Sequence, residues 1–225
     1  MKYPGGKGKS FPHIINLMPP HDCYIESHLG GGAVMRNKKP ALKQIGIERD
    51  PVVVERWQRN YGDICTLIEG DAVEYLSKLE LNSKTLIYID PPYHPKTRKR
   101  KRVYRHDYVH HDHVRLLKLA KSLNCYVLIS GYSNDLYEST LSDWNRHTFS
   151  SKAHDGNRDE VVWFNYEKPE HLHDSRYIGN TFREREVVKR RLGRLQDRIS
   201  SLSLQERSAL YQWMREQQAG EFKYD

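Results

Sequence analysis

The sequence predicts an α/β domain, a largely parallel central sheet flanked by helices, followed by a C-terminal helical hairpin. Two observations carry this: short apolar runs alternate with helical patterns as far as Tyr166, and beyond about Asn180 the texture turns to charged, amphipathic helix. "CYIES" (23–27), "QIGIE" (44–48), "TLIYID" (85–90) and "CYVLISGY" (125–132) set β-branched and aromatic residues between turn formers or charges, as buried strands do. Between them, "DPVVVERWQRNY" (50–61) and "HDHVRLLKLAKSL" (111–123) have helical spacing, with Val114, Leu116, Leu117 and Ala120 on one face. Strands joined through helices pair in parallel. A late run, "RDEVVWFNY" (158–166), reads as a further strand in an antiparallel edge hairpin.

The C-terminal helices announce themselves by their caps. Thr181 with Glu184, and Ser203 with Glu206, are capping boxes, each opening an amphipathic run. Val188, Leu192, Leu195 and Ile199 share a face of the first helix, and Leu210, Trp213 and Met214 a face of the second. The expected role of this hairpin is packing onto the main domain, with homodimerisation or nucleic-acid contact through Arg183, Arg190, Arg191, Arg194 and Arg198 as alternatives. The boundary is placed between 176 and 177.

Composition narrows the function classes. Hydrophobic content of 37% suits a globular protein, and no apolar run approaches a membrane span. The start, "MKYPGGKGKSF", lacks the apolar core of a signal peptide. Cys23, Cys65 and Cys125 are isolated and odd in number, as reduced thiols of a cytoplasmic protein are. A net charge of +8 suggests a polyanionic partner.

Residues with chemistry cluster where strands end, which is where an open α/β sheet binds ligands. Gly30, Gly31 and Gly32 lie between a strand and a helix, either as a loop letting a ligand approach the backbone or as a plain turn. Glu48 ends the second strand, placed to accept ribose hydroxyls, and Asp50 behind it suits a helix N-cap. Asp71 precedes another helix, to cap it, to contact a purine, or both. Neither a Walker lysine nor a G-x-G-x-x-G pattern follows, which favours a nucleoside cofactor without pyrophosphate, S-adenosylmethionine leading.

The third apolar strand ends in "DPPY". Pro92 holds Pro91 extended, and neither proline has an N–H. Asp90 and the Pro91 carbonyl then form an acceptor-only rim beside the flat face of Tyr93. Such a rim suits a planar ring with an exocyclic amine, whose growing positive charge the acceptors steady. An aryl amine is a weak nucleophile, so positioning matters more than base strength, and Asp90 needs no shifted pKa.

"IDPPY", "YPGGKGK" (3–9) and "YIESHLGGGAV" (24–34) together resemble the Dam-like class of DNA adenine-N6 methyltransferases, over Tyr3 to about Tyr166. The resemblance implies a Rossmann-like class I methyltransferase domain that uses S-adenosylmethionine on a base flipped from DNA. It further implies that Tyr3, Lys7, Glu26, Gly30–Gly32 and Glu48 hold the cofactor, with Asp50 and Asp90 also at its site, that Asp71 lies near its adenine, and that Asp90, Pro91, Pro92 and Tyr93 bind the target base. Ser27 and His28 depart from the family's usual Pro and aromatic residue. Residues 72–89 leave no room for the target-recognition insert that relatives with this motif order carry before the catalytic loop.

A basic run follows that loop: Lys96, Arg98, Lys99, Arg100, Lys101, Arg102 and Arg105, with Tyr104 among them. Beside a base pocket it would neutralise phosphates without reading sequence, giving short or relaxed specificity. Tyr104 or Tyr108 is placed to pack against a flipped base, Tyr108 equally to join the core. RNA is the alternative substrate, and a non-catalytic nucleic-acid-binding protein the alternative of another class. His106, His110, His111 and His113 lack cysteine partners, so no metal is expected. Arg158 and Glu160 are expected to form a structural ion pair. The setting expected is a bacterial nucleoid or a phage-infected cell.

Overall fold

The structure, a computed structural model, describes residues 6–98, 105–153 and 156–221. Tyr3, Lys99, Arg100, Lys101, Arg102 and Tyr104 lie outside the described residues. The chain divides into two compact units, Met1–Ser175 and Arg176–Asp225.

The first unit is built on seven strands: β1 (Cys23–Glu26), β2 (Lys43–Glu48), β3 (Thr66–Glu69), β4 (Thr85–Ile89), β5 (Tyr126–Gly131), β6 (Asn145–Ala153) and β7 (Gly156–Phe164). They form one sheet in the order β3-β2-β1-β4-β5-β7-β6. β1 to β5 run parallel, and the β6–β7 hairpin closes the β5 edge antiparallel. Helices α1 (Phe11–Ile15), α2 (Ala33–Asn37), α3 (Pro51–Tyr61), α4 (Ala72–Leu76), α5 (His110–Ser122) and α6 (Asp135–Thr140) occupy the connections. The strand order reverses between β1 and β4, the switch point at which such sheets bind ligands. The carboxyl ends of these two strands carry Glu26 and the Asp90–Tyr93 loop.

Buried on both faces, β4 is apolar after Thr85, and Ile87, Ile89, Val127 and Ile129 pack with Leu116, Leu117 and Ala120 of α5. Val114, expected on that face, is 40% exposed, and the polar His113 is fully buried in its stead. The helical repeat therefore turns His113, and not Val114, toward the sheet. Among the described residues no helix is long and apolar enough to cross a membrane.

In the second unit, α7 (Phe182–Ser200) begins as its cap dictates, with Thr181 Oγ1 accepting from the Glu184 amide at 3.1 Å. The Glu184 carboxylate accepts from the Asn180 amide, one residue earlier than a strict box would have it. The Ser203–Glu206 box that opens α8 (Leu204–Glu221) is complete. No residue of α7 is buried. Within this unit Leu195 is 47% and Trp213 54% exposed.

The α5 assignment yields a paired test in urea unfolding. Leu117→Ala, at a 1% exposed site, should cost about 2–5 kcal/mol. Val114→Ala should cost less than about 1 kcal/mol.

Candidate active site

Four chain segments meet at the switch point. The turn before α1 brings Lys7, the end of β4 brings Asp90 and Tyr93, β5 brings Ser130, and β7 brings Glu160. Lys7, only 4% exposed, donates to Asp90 Oδ1 at 2.7 Å, to Asp90 Oδ2 at 2.9 Å and to the Tyr93 hydroxyl at 2.7 Å. Its ammonium is 3.5 Å from Glu160 Oε2. Tyr93 in turn donates to Glu160 Oε2 at 2.8 Å, and Ser130 Oγ donates to Asp90 Oδ1 at 2.7 Å. Tyr88 supports Ser130 at 3.0 Å. The edge of Tyr132 meets the Tyr93 ring at 4.6 Å, fixing its plane.

Burial alone would discharge Lys7, but Asp90, Tyr88 and Glu160 outweigh it and hold the ammonium well above its usual pKa. Burial pushes Asp90 up, against Lys7 and Ser130, so the carboxylate is shifted after all. Burial also works against the charge of Glu160, yet Lys7 and hydroxyls from Ser151 and Tyr93 bring its pKa below the usual range.

Beside this cluster lies a pocket of about 840 Å³, counted to its open mouth, lined by Glu26, Gly30–Gly32, Glu48, Asp50, Asp71 and the Asp90–Tyr93 loop. Gly32 has φ +54°, and a Cβ there would stand 2.0 Å from Trp57 Cζ2. The Trp57 indole donates to the Gly30 carbonyl at 2.9 Å. Glu48 takes the Gly30 amide at 2.7 Å and the Arg49 and Asp50 amides at 2.9 Å each, leaving an acceptor position on Oε2. Glu26 accepts from Tyr24 at 3.0 Å and the Met35 amide at 2.8 Å, and burial pushes its pKa up to about 8. Asp50 and Asp71 cap α3 and α4, respectively. Asp71 also pairs with Arg115 at 2.9 Å.

Several expectations change. Lys7, expected on the cofactor, lines the pocket, with its ammonium on Asp90 and Tyr93. Glu160 does not pair with Arg158, whose guanidinium bonds the Thr97 carbonyl at 3.2 Å and covers Tyr132. Arg98 is not presented to solvent: its side chain is 7% exposed and pairs with Asp107. Lys96 and Arg105 are exposed, Arg105 standing 3.8 Å from Asp50 at the pocket rim. His28 bonds Ser27 Oγ at 3.0 Å and the Tyr108 hydroxyl at 2.8 Å, and burial lowers its pKa to about 4. The departure at 27–28 is thus matched by Tyr108, which is 5% exposed and lines the pocket. His94 Nε2 lies 3.1 Å from His110 Nδ1, and His113 bonds Tyr137. Ser130 and Glu160 carry no local motif, because their partners Asp90, Lys7 and Tyr93 are distant in sequence.

Similar solved structures include precorrin 8W decarboxylase from Methanobacterium thermoautotrophicum, at 14% identity over 73% of this chain and 93% of that one, with TM-score 0.47. A putative RNA methyltransferase from Pyrococcus horikoshii is 13% identical over 73% and 86%, with TM-score 0.46. TrmK of M. capricolum, in complex with S-adenosyl-homocysteine, is 9% identical over 92% and 93%, with TM-score 0.46. No curated protein matches the chain. Residues 57–154 match the family model of the D12 class N6 adenine-specific DNA methyltransferases. The matched segment, less than half of the chain, is similar to the Dam-like adenine methyltransferases.

The fold around it is the Rossmann-like class I methyltransferase sheet, and the family's reaction is methyl transfer to adenine. The matched segment holds Asp71 and Asp90–Tyr93; Lys7, Glu26, the glycine loop and Glu48 precede it. The pocket has a shape that S-adenosylmethionine would fit: a glycine cradle that Trp57 keeps free of side chains, with carboxylates at the strand ends.

Gly32→Ala forces an unfavourable φ and a clash with Trp57. The expected loss is about 2–4 kcal/mol in urea unfolding, with weakened cofactor binding by calorimetry. Gly8→Ala, where a Cβ meets nothing within 4 Å, is the control.

Proposed function

We propose that the protein methylates the exocyclic N6 amine of adenine in DNA, on a base flipped from the helix, with short or relaxed sequence preference. One observation carries this reading: the Asp90–Tyr93 rim opens onto the same pocket as the glycine loop and Glu48, so amine acceptors and cofactor cradle share one cavity.

In this reading Gly30–Gly32, Glu26, Glu48 and Asp71 hold the cofactor, with Asp50 shaping the loop beside them. When bound, S-adenosylmethionine supplies an electrophilic methyl group, its sulfur keeping the electron pair of the broken bond. Tyr93 holds the adenine ring, while Pro91 and Pro92 fix the Pro91 carbonyl beside Asp90. Both acceptors bond the amine and orient its lone pair for the new N–C bond. The nitrogen gains positive charge as that bond forms, and Asp90 takes the proton it then sheds. Lys7 and Ser130 hold Asp90 through its other lone pairs.

Asp90→Ala should abolish methyl transfer to DNA oligonucleotides while leaving binding in a gel-shift titration unchanged; full activity would remove Asp90 from the mechanism. In the unaltered protein the acid limb of kcat should follow Asp90. Burial raises its pKa, so activity should fall at a pH above the ordinary carboxylate value of 3.8. Product from matched RNA alone would favour the RNA reading.

Lys96, Arg105 and the run 99–102 form the proposed phosphate grip, Tyr104 beside them. Replacing Lys96 and residues 99–102 by alanine should weaken DNA binding alike on all sequences and flatten its salt dependence. Arg98, bound to Asp107, should be left in place in that variant.

A further inference from the structure

The ammonium of Lys7 lies against two carboxylates, not one. Asp90 touches it at 2.7 Å and Glu160 at 3.5 Å, and the Tyr93 hydroxyl bridges Lys7 to Glu160 through bonds of 2.7 and 2.8 Å. Glu160 is 7% exposed, so water screens it little. Its position on β7 is rigid: the flanking backbone pairs with Phe149 of β6, and Val161 with Gly131 of β5. Arg158, two residues away, turns to Thr97 and Tyr132 and does not neutralise it.

The charges can be followed around Asp90. Among the described residues, Lys7, Tyr24, Glu26, Tyr88, Tyr93, Ser130, Tyr137 and Glu160 interact with it from the surrounding elements. Burial pushes the pKa of Glu26 up to about 8, away from the charged form, and raises those of Tyr88 and Tyr93 well above their usual value. One ammonium against two carboxylates leaves the cluster with a single net negative charge. Without Glu160, Lys7 would cancel Asp90, and the amine would meet a neutral pair as its nitrogen turns positive.

Resting on the methyltransferase reading above, we infer that Glu160 is a positioning residue for methyl transfer: it offsets Lys7, so that Asp90 confronts the reacting amine with uncompensated negative charge, and it orients Tyr93 through the hydroxyl. Its contribution is greatest in the transition state, where the nitrogen carries positive charge, and small in the ground state, where the amine is neutral. The role therefore appears in kcat and not in KM.

Glu160→Gln separates charge from shape, because the amide oxygen still accepts from Tyr93. With labelled S-adenosylmethionine and a DNA oligonucleotide, kcat should fall roughly tenfold to hundredfold, with both KM values within about threefold. The acid limb of kcat should move to lower pH, since Glu160 raises the pKa of Asp90 and its removal lowers it. Glu160→Asp should restore part of kcat. Tyr93→Phe keeps both charges, so it should lower kcat but leave the acid limb in place. An unchanged kcat and limb in Glu160→Gln, or the same limb shift in Tyr93→Phe, would overturn the inference. Carbon-13 NMR titration of the Asp90 carboxyl reads the same coupling without turnover: a lower pKa in Glu160→Gln upholds it and an unmoved one refutes it. An unaltered protein that methylates neither DNA nor RNA would refute the proposed function separately, while the titration still judges Glu160.

Discussion

A lysine ammonium taken out of water costs several kcal/mol unless charges and hydrogen bonds surround it. Lys7 is such a group, and satisfying it draws together parts of the chain that have no local reason to meet. The turn before α1 must close over the end of β4, and β7 must lie beside β5 so that Glu160 faces inward. The antiparallel hairpin at the sheet edge thereby does more than cover β5: it delivers the second carboxylate. Removing either carboxylate leaves Lys7 paired one-to-one with the other, and the cluster loses its net negative charge.

The cofactor side is organised by a different economy, that of backbone amides. Glu48 collects three of them, tying the glycine loop to the end of β2, and Trp57 fills the space that a side chain at Gly32 would need. Asp50 and Asp71 satisfy helix N-termini at the rim of the same pocket. Neighbouring acids thus have distinct tasks: some hold the walls, while Asp90 keeps acceptor capacity for a substrate.

The central strands were legible because burial on both faces makes parallel strands short and continuously apolar. β3 and β6 were not read as strands: β3 is half-exposed and "NRHTFSSKA" is polar, as edge strands tend to be. The Asp-Pro-Pro-Tyr loop could be read from local chemistry, since its rigidity and acceptors lie in four consecutive residues. Glu160 could not, because its meaning depends on Lys7, some 150 residues earlier, and on a register between strands that sequence alone leaves open. Arg98 stands apart from the basic run for a related reason: a run looks uniform in sequence, and the carboxylate that takes this member, Asp107, lies nine residues on. His28 was visible only as a departure from the family pattern; its partner Tyr108 supplies the physical reason for it.

Trp57 joins the glycine loop twice, by its ring against Gly32 and by its N–H on the Gly30 carbonyl. An indole so placed is also an optical probe. Any displacement of the loop alters the hydrogen bond that tunes its excited state and the packing that shields it from quenchers. The emission of this one tryptophan, with Trp144, Trp163 and Trp213 replaced, would report the loop's occupancy in real time and without a label.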